Sequence, residues 1–329
     1  MKRMLESAVD LLSALGLALG LTLVTGAARA QAWPAKPIRL IVPYAAGGYY
    51  DLVARVTSPR LSEQIGQPVV VENRAGANGM IGTDFVAKSP PDGYTILIGG
   101  IGPNALNAIL YPKLPYDPVR DFAPIIGVSY QPSILVVHPT LGVNSVKELI
   151  ALARVRPLNY ASAGAGSSPH LATEMLNGAM GLRIAHVPYK GSGPAAAAAL
   201  SSEVEVYIGA GSDILPHIRA GKLRALGVAN AKRLAILPEV PTMHEAGVAN
   251  FQAGSWFGFF APTGTPQPLI SRLNAEFTKI LSNPIERDRV AAGGTADITI
   301  GTPEQLGELV RLEIAKWSAV IRDANIKVE

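Results

Sequence analysis

Between residues 160 and 213 the chain repeats one local design three times: an apolar strand, a G-x-G loop, then a segment with helical character. The copies are Tyr160-Ala161-Ser162-Ala163-Gly164-Ala165-Gly166-Ser167, Val187-Pro188-Tyr189-Lys190-Gly191-Ser192-Gly193-Pro194 and Tyr207-Ile208-Gly209-Ala210-Gly211-Ser212-Asp213. A fourth loop of this kind, Pro43-Tyr44-Ala45-Ala46-Gly47-Gly48-Tyr49-Tyr50-Asp51, lies near the front. Loops of this kind bring bare backbone N–H groups and helix N-termini to one edge of a parallel sheet, which suits an anion.

The energetics say how many donors are needed. Taking a carboxylate out of water costs several kcal/mol. One helix dipole returns about 0.3–1 kcal/mol, at best ~2, and each hydrogen bond to a charged group adds roughly 1.5–3 kcal/mol. Several donors must therefore converge. Gly47, Gly48, Gly164 and Gly166 allow close backbone approach with the amides turned inward. Ser167 and Ser168 can add hydroxyl donors, and no Arg is required. The plainer alternative stays open: Ser167 or Ser168 only caps its helix, and Gly47-Gly48 only makes a tight turn.

No catalytic set accompanies these loops. The five histidines are His138, His170, His186, His217 and His244, and the nearest two are sixteen residues apart, so there is no sequence-local metal pair. His244-Glu245 is followed by Ala246-Gly247-Val248, which breaks the spacing of a helical metalloprotease. There is no G-x-S-x-G elbow. His170, at a helix start beside the Ser167 loop, reads as a hydrogen-bonding partner rather than a base. Gly164-Ala165-Gly166-Ser167-Ser168-Pro169 approaches a dinucleotide fingerprint, but its third Gly is missing, and residues 183–186 hold no acid for a ribose. An NAD(P)-type oxidoreductase is therefore the weaker alternative, and a scaffold or adhesion protein a third reading. No catalytic residue, metal or cofactor is expected.

The first thirty residues read as an export leader. Lys2 and Arg3 open it, residues 11–24 form an apolar run of fourteen, and Ala28-Arg29-Ala30 is a small-x-small cleavage site. A spanning helix needs roughly 20 apolar residues. Cleavage after Ala30 would leave 299 residues in the periplasm, beginning at Gln31. With no Cys in the chain, neither a disulfide nor a lipid on cysteine is available. A chain of that size buries about three-quarters of its unfolded surface without such help. The net charge is +4, of which the leader holds +1. The basic residues are scattered singly, which excludes a nucleic-acid face and fits an anionic ligand without demanding one.

Strands and helices alternate, so the fold class is α/β with mostly parallel sheets. Strands are expected over 38–44, 69–72, 94–98, 134–137, 223–228 and 256–261. Helices are expected over 51–64, bent or divided at Pro59, and over 82–88, 145–156, 266–281, 285–292 and 302–324. Leu306, Leu309, Val310, Ile314 and Trp317 recur at helical spacing and read as core. Pro and Gly are dense over 99–145, and the pattern changes again over 229–255. One segment inserted in another then gives two lobes: residues 31–130 and 229–329 form the first, residues 131–228 the second, with a ligand cleft between them where strand C-termini face each other.

The ordered loops also resemble a family. Besides 43–51, these are Gly66-Gln67-Pro68-Val69-Val70-Val71-Glu72-Asn73-Arg74, Pro91-Asp92-Gly93-Tyr94-Thr95, Ser162-Ala163-Gly164-Ala165-Gly166-Ser167-Ser168-Pro169-His170-Leu171, Val187-Pro188-Tyr189-Lys190-Gly191, Gly221-Lys222-Leu223-Arg224-Ala225-Leu226 and Trp256-Phe257-Gly258-Phe259-Phe260-Ala261-Pro262. In this order they resemble a Bug-family receptor, the periplasmic solute-binding protein of tripartite tricarboxylate transporters. The resemblance covers residues 33–329. It implies a two-lobed, hinge-closing fold whose loops at 44–51 and 163–168 hold one carboxylate through backbone N–H groups and ordered water. It also implies integral membrane transporter subunits as partners of a monomeric receptor. Asp51 would then cap its helix or orient water, and Asn78 and Asn107 would line the pocket or serve as turn residues.

The candidate ligand-binding set is Tyr44, Ala46, Gly47, Gly48, Tyr49, Tyr50, Asp51, Asn78, Asn107, Ala163, Gly164, Gly166, Ser167, Ser168, His170, Tyr189 and Ser212. A bulky residue at Gly48 is expected to abolish binding. Two departures from the family pattern matter. Tyr49-Tyr50 stands where small residues are usual, so two phenols either narrow the mouth or point away as packing. Gly and Ala fill the stretch after residues 207–208 where the family often carries an acid. The ligand is therefore expected to be a di-, tri- or aromatic carboxylate without a free amine.

Overall fold

In the computed structural model, residues 33–323 are described. The chain divides into a unit of Met1–Lys36 and a unit of Pro37–Glu329. Of the first, residues 33–36 are described and hold no helix or strand. The expected leader and its cleavage site lie outside the described residues.

The apolar runs become strands because each is short, rich in β-branched residues and bounded by Gly or Pro. The second unit opens with β1 (Ile38–Val42), α1 (Tyr49–Ile65), β2 (Val69–Asn73), α2 (Met80–Ala87) and β3 (Thr95–Gly100). β1 pairs in parallel with both β2 and β3. Pro59 does not divide α1, which runs unbroken for 17 residues; the missing N–H removes one intrahelical bond and leaves the rest. A π-helical turn, Gly102–Leu106, follows β3 and leads into the short α3 (Asn107–Leu110).

The next elements are β4 (Phe122–Val137), α4 (Val146–Val155), β5 (Asn159–Ser162), α5 (Ser168–Met180), β6 (Ala185–Pro188), α6 (Ser192–Leu200), β7 (Val206–Ala210), α7 (Gly211–Arg219) and β8 (Arg224–Val228). The chain then returns through β9 (Gly254–Pro262), α8 (Gln267–Ser282), α9 (Pro284–Val290), β10 (Asp297–Ile298) and α10 (Pro303–Asp323). The sheet order is β2-β1-β3-β9-β4-β7-β5-β6, with β8 and β10 also on β4. β5 pairs in parallel with β6 and β7. Every antiparallel pair involves β4 or β9.

β4 is the strand that joins two groups. Its residues 122–132 pair with β9, and residues 133–137 pair with β7. The strand expected over 134–137 is the end of a much longer one, which begins at Phe122 and contains Pro124 and Pro132. The register shifts between Pro124 and Ile126, and Pro132 ends the ladder opposite Gly254. Both prolines therefore sit at irregularities, the positions where a strand tolerates a missing donor. At the change of partner three chain passes tie together. Ser133 N–H donates to Ala253 O (2.9 Å), Ala253 N–H to Ala229 O (3.1 Å) and Ala229 N–H to Ser133 O (2.8 Å).

The helices pack as their stripes require. α10 buries Leu306, Val310, Trp317 and Ile321. α6 presents Ala195, Ala196, Ala198 and Ala199 to Tyr207, Ile214 and Ala161. Side chains this small let the helix lie close to the sheet, which sets its first residue, Ser192, against the strand ends. α4 begins as its sequence demands: the Ser145 hydroxyl accepts from Glu148 N–H (3.2 Å), and Glu148 in turn accepts from Asn144 N–H (2.7 Å).

Candidate functional site

Three consecutive strands, β5, β6 and β7, each turn directly into a helix. The first residues of α5 and α6, Ser168 and Ser192, and the N-cap of α7, Ala210, line one cavity of about 180 Å³. Tyr44, Tyr50, Asn78, Ile101, Gly102 and Leu106 form the opposite wall. Gln131 and Ser133 of β4 and Ser255 of β9 lie between. None of the lining residues is charged. Each helix N-terminus carries roughly half a positive charge and first-turn N–H groups without intrahelical acceptors. The cavity therefore has a positive field with no cationic side chain.

Ala163, Gly166, Ser167 and Ser168 of the loop after β5 lie in the wall. The amides of its glycines, expected to face an anion, are used inside the chain. Gly164 N–H donates to Ser162 Oγ (3.1 Å), and Gly166 N–H donates to His170 Nδ1 (2.9 Å). The Ser167 hydroxyl donates to Gly164 O (2.7 Å) rather than capping α5. Gly166 holds φ +73°, a conformation open to glycine at little cost. Gly164 lies behind the wall, and so does His170.

His170 and His186 stack face to face, with ring centroids 3.9 Å apart and planes 11° apart. Tyr160 packs beside both rings, 5.0 Å from His186 and 6.2 Å from His170, and His186 Nε2 lies 2.6 Å from Ser162 Oγ. Burial, followed by the charge of His186, pushes the His170 pKa down to about 4. Neutral His170 keeps Nδ1 as an acceptor for Gly166. The two histidines are distant in sequence but meet because β5 and β6 pair with Tyr160 opposite His186. Among the described residues no group of three or more His, Cys, Asp or Glu could hold a metal ion.

The front loop divides sharply. Tyr44 and Tyr50 line the cavity, their rings 4.6 Å apart. The Tyr50 hydroxyl lies over Gly100 and the Tyr44 hydroxyl over Gly102, where an added Cβ would come within 2.5 Å and 2.6 Å of them. The Tyr44 hydroxyl reaches Asn78 O and Oδ1, both at 3.3 Å. Burial raises both phenol pKa values, so both remain neutral.

Ala46, Gly47 and Gly48, by contrast, are exposed and outside the wall. Gly47 N–H donates to Asp51 Oδ2 (3.0 Å). A Cβ on Gly48 would meet only Ala45 O, at 4.0 Å. The expectation that bulk at Gly48 blocks the site therefore fails, because that position faces open space. Gly102 is the sensitive position: a Cβ there would sit 2.6 Å from the Tyr44 hydroxyl.

Tyr49 points away from the cavity. Its hydroxyl donates to Val290 O (2.7 Å) and contacts Ser129 Oγ (2.9 Å), and its ring packs on Phe257 at 4.5 Å. Asp51 is buried, which would raise its pKa, but hydrogen bonds from Arg55, Gly47 and Asn73 outweigh burial and hold it below the ordinary value. Its carboxylate ties down the loop. Asn78 lines the cavity and exchanges bonds with the buried Asn107: Asn78 Nδ2 donates to Asn107 Oδ1 (2.9 Å), and Asn107 Nδ2 donates to Asn78 O (3.0 Å). Asn107 thus stands one layer behind. Tyr189 donates to Glu203 (2.8 Å) and Ser212 to Asp213 (3.1 Å), both outside the wall.

The candidate set lacks nine of the wall residues: Ile101, Gly102, Leu106, Gln131, Ser133, Pro169, Ser192, Ala210 and Ser255. Ser192 and Ala210 lie inside the repeated G-x-G units, so the repeat itself was the signal for them. Gln131, Ser133 and Ser255 sit on strands whose pairing the sequence does not display.

Residues 53–326 match the family described as "Tripartite tricarboxylate transporter family receptor", TctC. The chain belongs to this TctC receptor family. It is 41% identical to a UPF0065 protein from the tcbD-tcbE intergenic region of Pseudomonas sp. (strain P51), over 93% of this chain and 92% of that one. It is 38% identical to protein BugT of Bordetella pertussis, over 97% and 98% of the two chains. Among solved structures, R. palustris Rpa4515 with adipate matches with a TM-score of 0.80 and 38% identity, over 90% of this chain and 99% of that one. MatC from Rhodopseudomonas palustris with bound malate matches with a TM-score of 0.76 and 33% identity, over 88% and 100%. TctC proteins are periplasmic solute-binding receptors, not enzymes, which sets aside the oxidoreductase reading. No helix of the described residues is long and apolar enough to cross a membrane.

Proposed function

We propose that this TctC-family chain captures a small organic carboxylate without a free amine and delivers it to the membrane subunits of a tripartite tricarboxylate-type transporter. The observation that carries this reading is the convergence of three helix starts on a cavity with no charged wall residue. Three dipole ends return about 1–3 kcal/mol, and a few hydroxyl or amide donors at roughly 1.5–3 kcal/mol each offset the several kcal/mol needed to desolvate a carboxylate. Ser168, Ser192, Ser133 and Ser255 border the cavity as such donors. An ammonium group would find no counter-charge there. Adipate and malate in the related structures support the same ligand class.

The two strand groups act as lobes, with residues 131–228 inserted between 31–130 and 229–329. The change of partner on β4 at Ser133 and the end of β8 at Val228 support those boundaries. The Ser133–Ala229–Ala253 triangle is the pivot on which the lobes close over the ligand. The closed surface, drawn from both lobes, is what the membrane subunits read. Export with cleavage after Ala30 places the receptor in the periplasm.

A thermal-shift screen of organic acids on the mature chain tests the reading. A true ligand at one hundred times its Kd stabilises by roughly 2.7 kcal/mol. Stabilisation by several carboxylates is the expected result. Stabilisation by free amino acids alone, or by a dinucleotide, overturns the reading.

A further inference from the structure

The cavity has two unlike ends. One is made by helix starts and hydroxyls. The other is closed by the phenol of Tyr50, which packs between Tyr44 at 4.6 Å and the edge of Phe257 at 4.8 Å. The Tyr50 hydroxyl lies over Gly100 and the Tyr44 hydroxyl over Gly102: a Cβ on Gly100 would come within 2.5 Å of the first oxygen, and one on Gly102 within 2.6 Å of the second. Gly102 is the first residue of the π-helical turn after β3 and itself lines the cavity. The two phenols therefore fill the volume above both glycines.

Tyr44, on which the Tyr50 ring packs, donates to Asn78, which also lines the cavity, and Asn78 is locked to the buried Asn107 behind it. Asn107 reaches Tyr116, whose hydroxyl donates to Pro103 O (2.7 Å), back on the turn that holds Gly102. This hydrogen-bonded path holds Tyr44, and with it the Tyr50 ring, against displacement. The resulting space, about 180 Å³, is small beside the roughly 300–1,000 Å³ of ordinary small-molecule pockets.

We propose that Tyr50 is the specificity-determining residue that sets ligand length, restricting the site to short carboxylates of about five carbons or fewer. The inference rests on the carboxylate-receptor reading above. A longer diacid must push its distal carboxylate into the space the phenol occupies. A smaller side chain at residue 50 frees that volume.

The test is calorimetric titration with unbranched dicarboxylates of three to eight carbons, on wild type, Tyr50→Thr and Tyr50→Phe. In the wild type, affinity is expected to peak at four or five carbons and to fall about tenfold or more at six. Tyr50→Thr should move the optimum one to three carbons longer, with adipate gaining about tenfold. Tyr50→Phe, which keeps the ring, should keep the wild-type optimum. The proposal is overturned if the wild type binds the eight-carbon diacid as tightly as the four-carbon one, a measurement that needs no variant to fold. It is also overturned if Tyr50→Thr binds diacids with an unchanged optimum. If no diacid binds either protein, the length rule for diacids falls, while the receptor reading is decided separately by the thermal-shift screen of organic acids.

Discussion

His170 Nδ1 accepts the Gly166 amide hydrogen at 2.9 Å, and this bond orients the loop that joins β5 to α5. The acceptor exists only while the ring is neutral. The stack on His186 and the burial of His170 keep it so, with a pKa of about 4.

The pH dependence follows with a definite sign. An unfolded histidine titrates near 6.5, and folded His170 near 4. The unfolded state therefore takes up the proton first as pH falls. Stability contributed by His170 is full above about 6.5 and is lost progressively down to about 4, at no more than roughly 1.4 kcal/mol per pH unit. His170→Asn keeps a side-chain acceptor for Gly166 but cannot titrate. It should flatten this part of the melting-temperature profile and keep ligand affinity, whereas His170→Leu should lose affinity at neutral pH. Melting curves between pH 4 and 7 with parallel titrations check both.

Gly102→Val should abolish ligand binding with the fold retained, because its side chain would collide with the Tyr44 hydroxyl inside the cavity. Gly48→Leu should bind normally, since residue 48 faces open space. Calorimetry on the two variants, with circular dichroism to confirm folding, separates the cavity wall from the exposed loop.

The contrast between Tyr49 and Tyr50 shows what a sequence can and cannot say. The four glycine loops, the α/β alternation and the start of α4 at Ser145 are local, and local chemistry announced them. Which of two adjacent tyrosines faces the ligand depends on α1 geometry: one residue turns the side chain by about 100°. Tyr49 is thereby sent to Val290 in α9, and Tyr50 to Tyr44 in the cavity wall. The glycine amides were misread for a related reason. Their acceptors, Asp51 and His170, are near in sequence, yet only folded loops reveal that Gly47 and Gly166 are already bonded. Gln131 and Ser133 were hidden because β4 changes partner there, and no local pattern marks that event.

Tyr49→Phe should destabilise the protein by about 0.5–1.5 kcal/mol through loss of its bond to Val290 O. Ligand affinity should stay the same, since Tyr49 is outside the cavity wall. Urea denaturation and a ligand titration on the same sample report the two quantities.

Asp51→Ala removes the acceptor for Gly47 N–H, Arg55 Nε and Asn73 Nδ2. The expected cost is roughly 1–3 kcal/mol, from the loss of hydrogen bonds to a charged, buried acceptor. Because the pKa of Asp51 lies below its ordinary value, its contribution is full at neutral pH and fades as pH falls through the carboxylate range. Denaturation at pH 7 and again at pH 3 should therefore show a larger difference between wild type and variant at pH 7.

The most direct measurement compares each carboxylate with its α-amino analogue by calorimetry, malate against aspartate and 2-hydroxyglutarate against glutamate. A wall without charge, faced by three helix starts, predicts that the hydroxy acid binds at least about tenfold more tightly, a difference of roughly 1.4 kcal/mol. Equal or tighter binding of the amino acids would mean that an acid reaches the ligand after all, and would contradict the account.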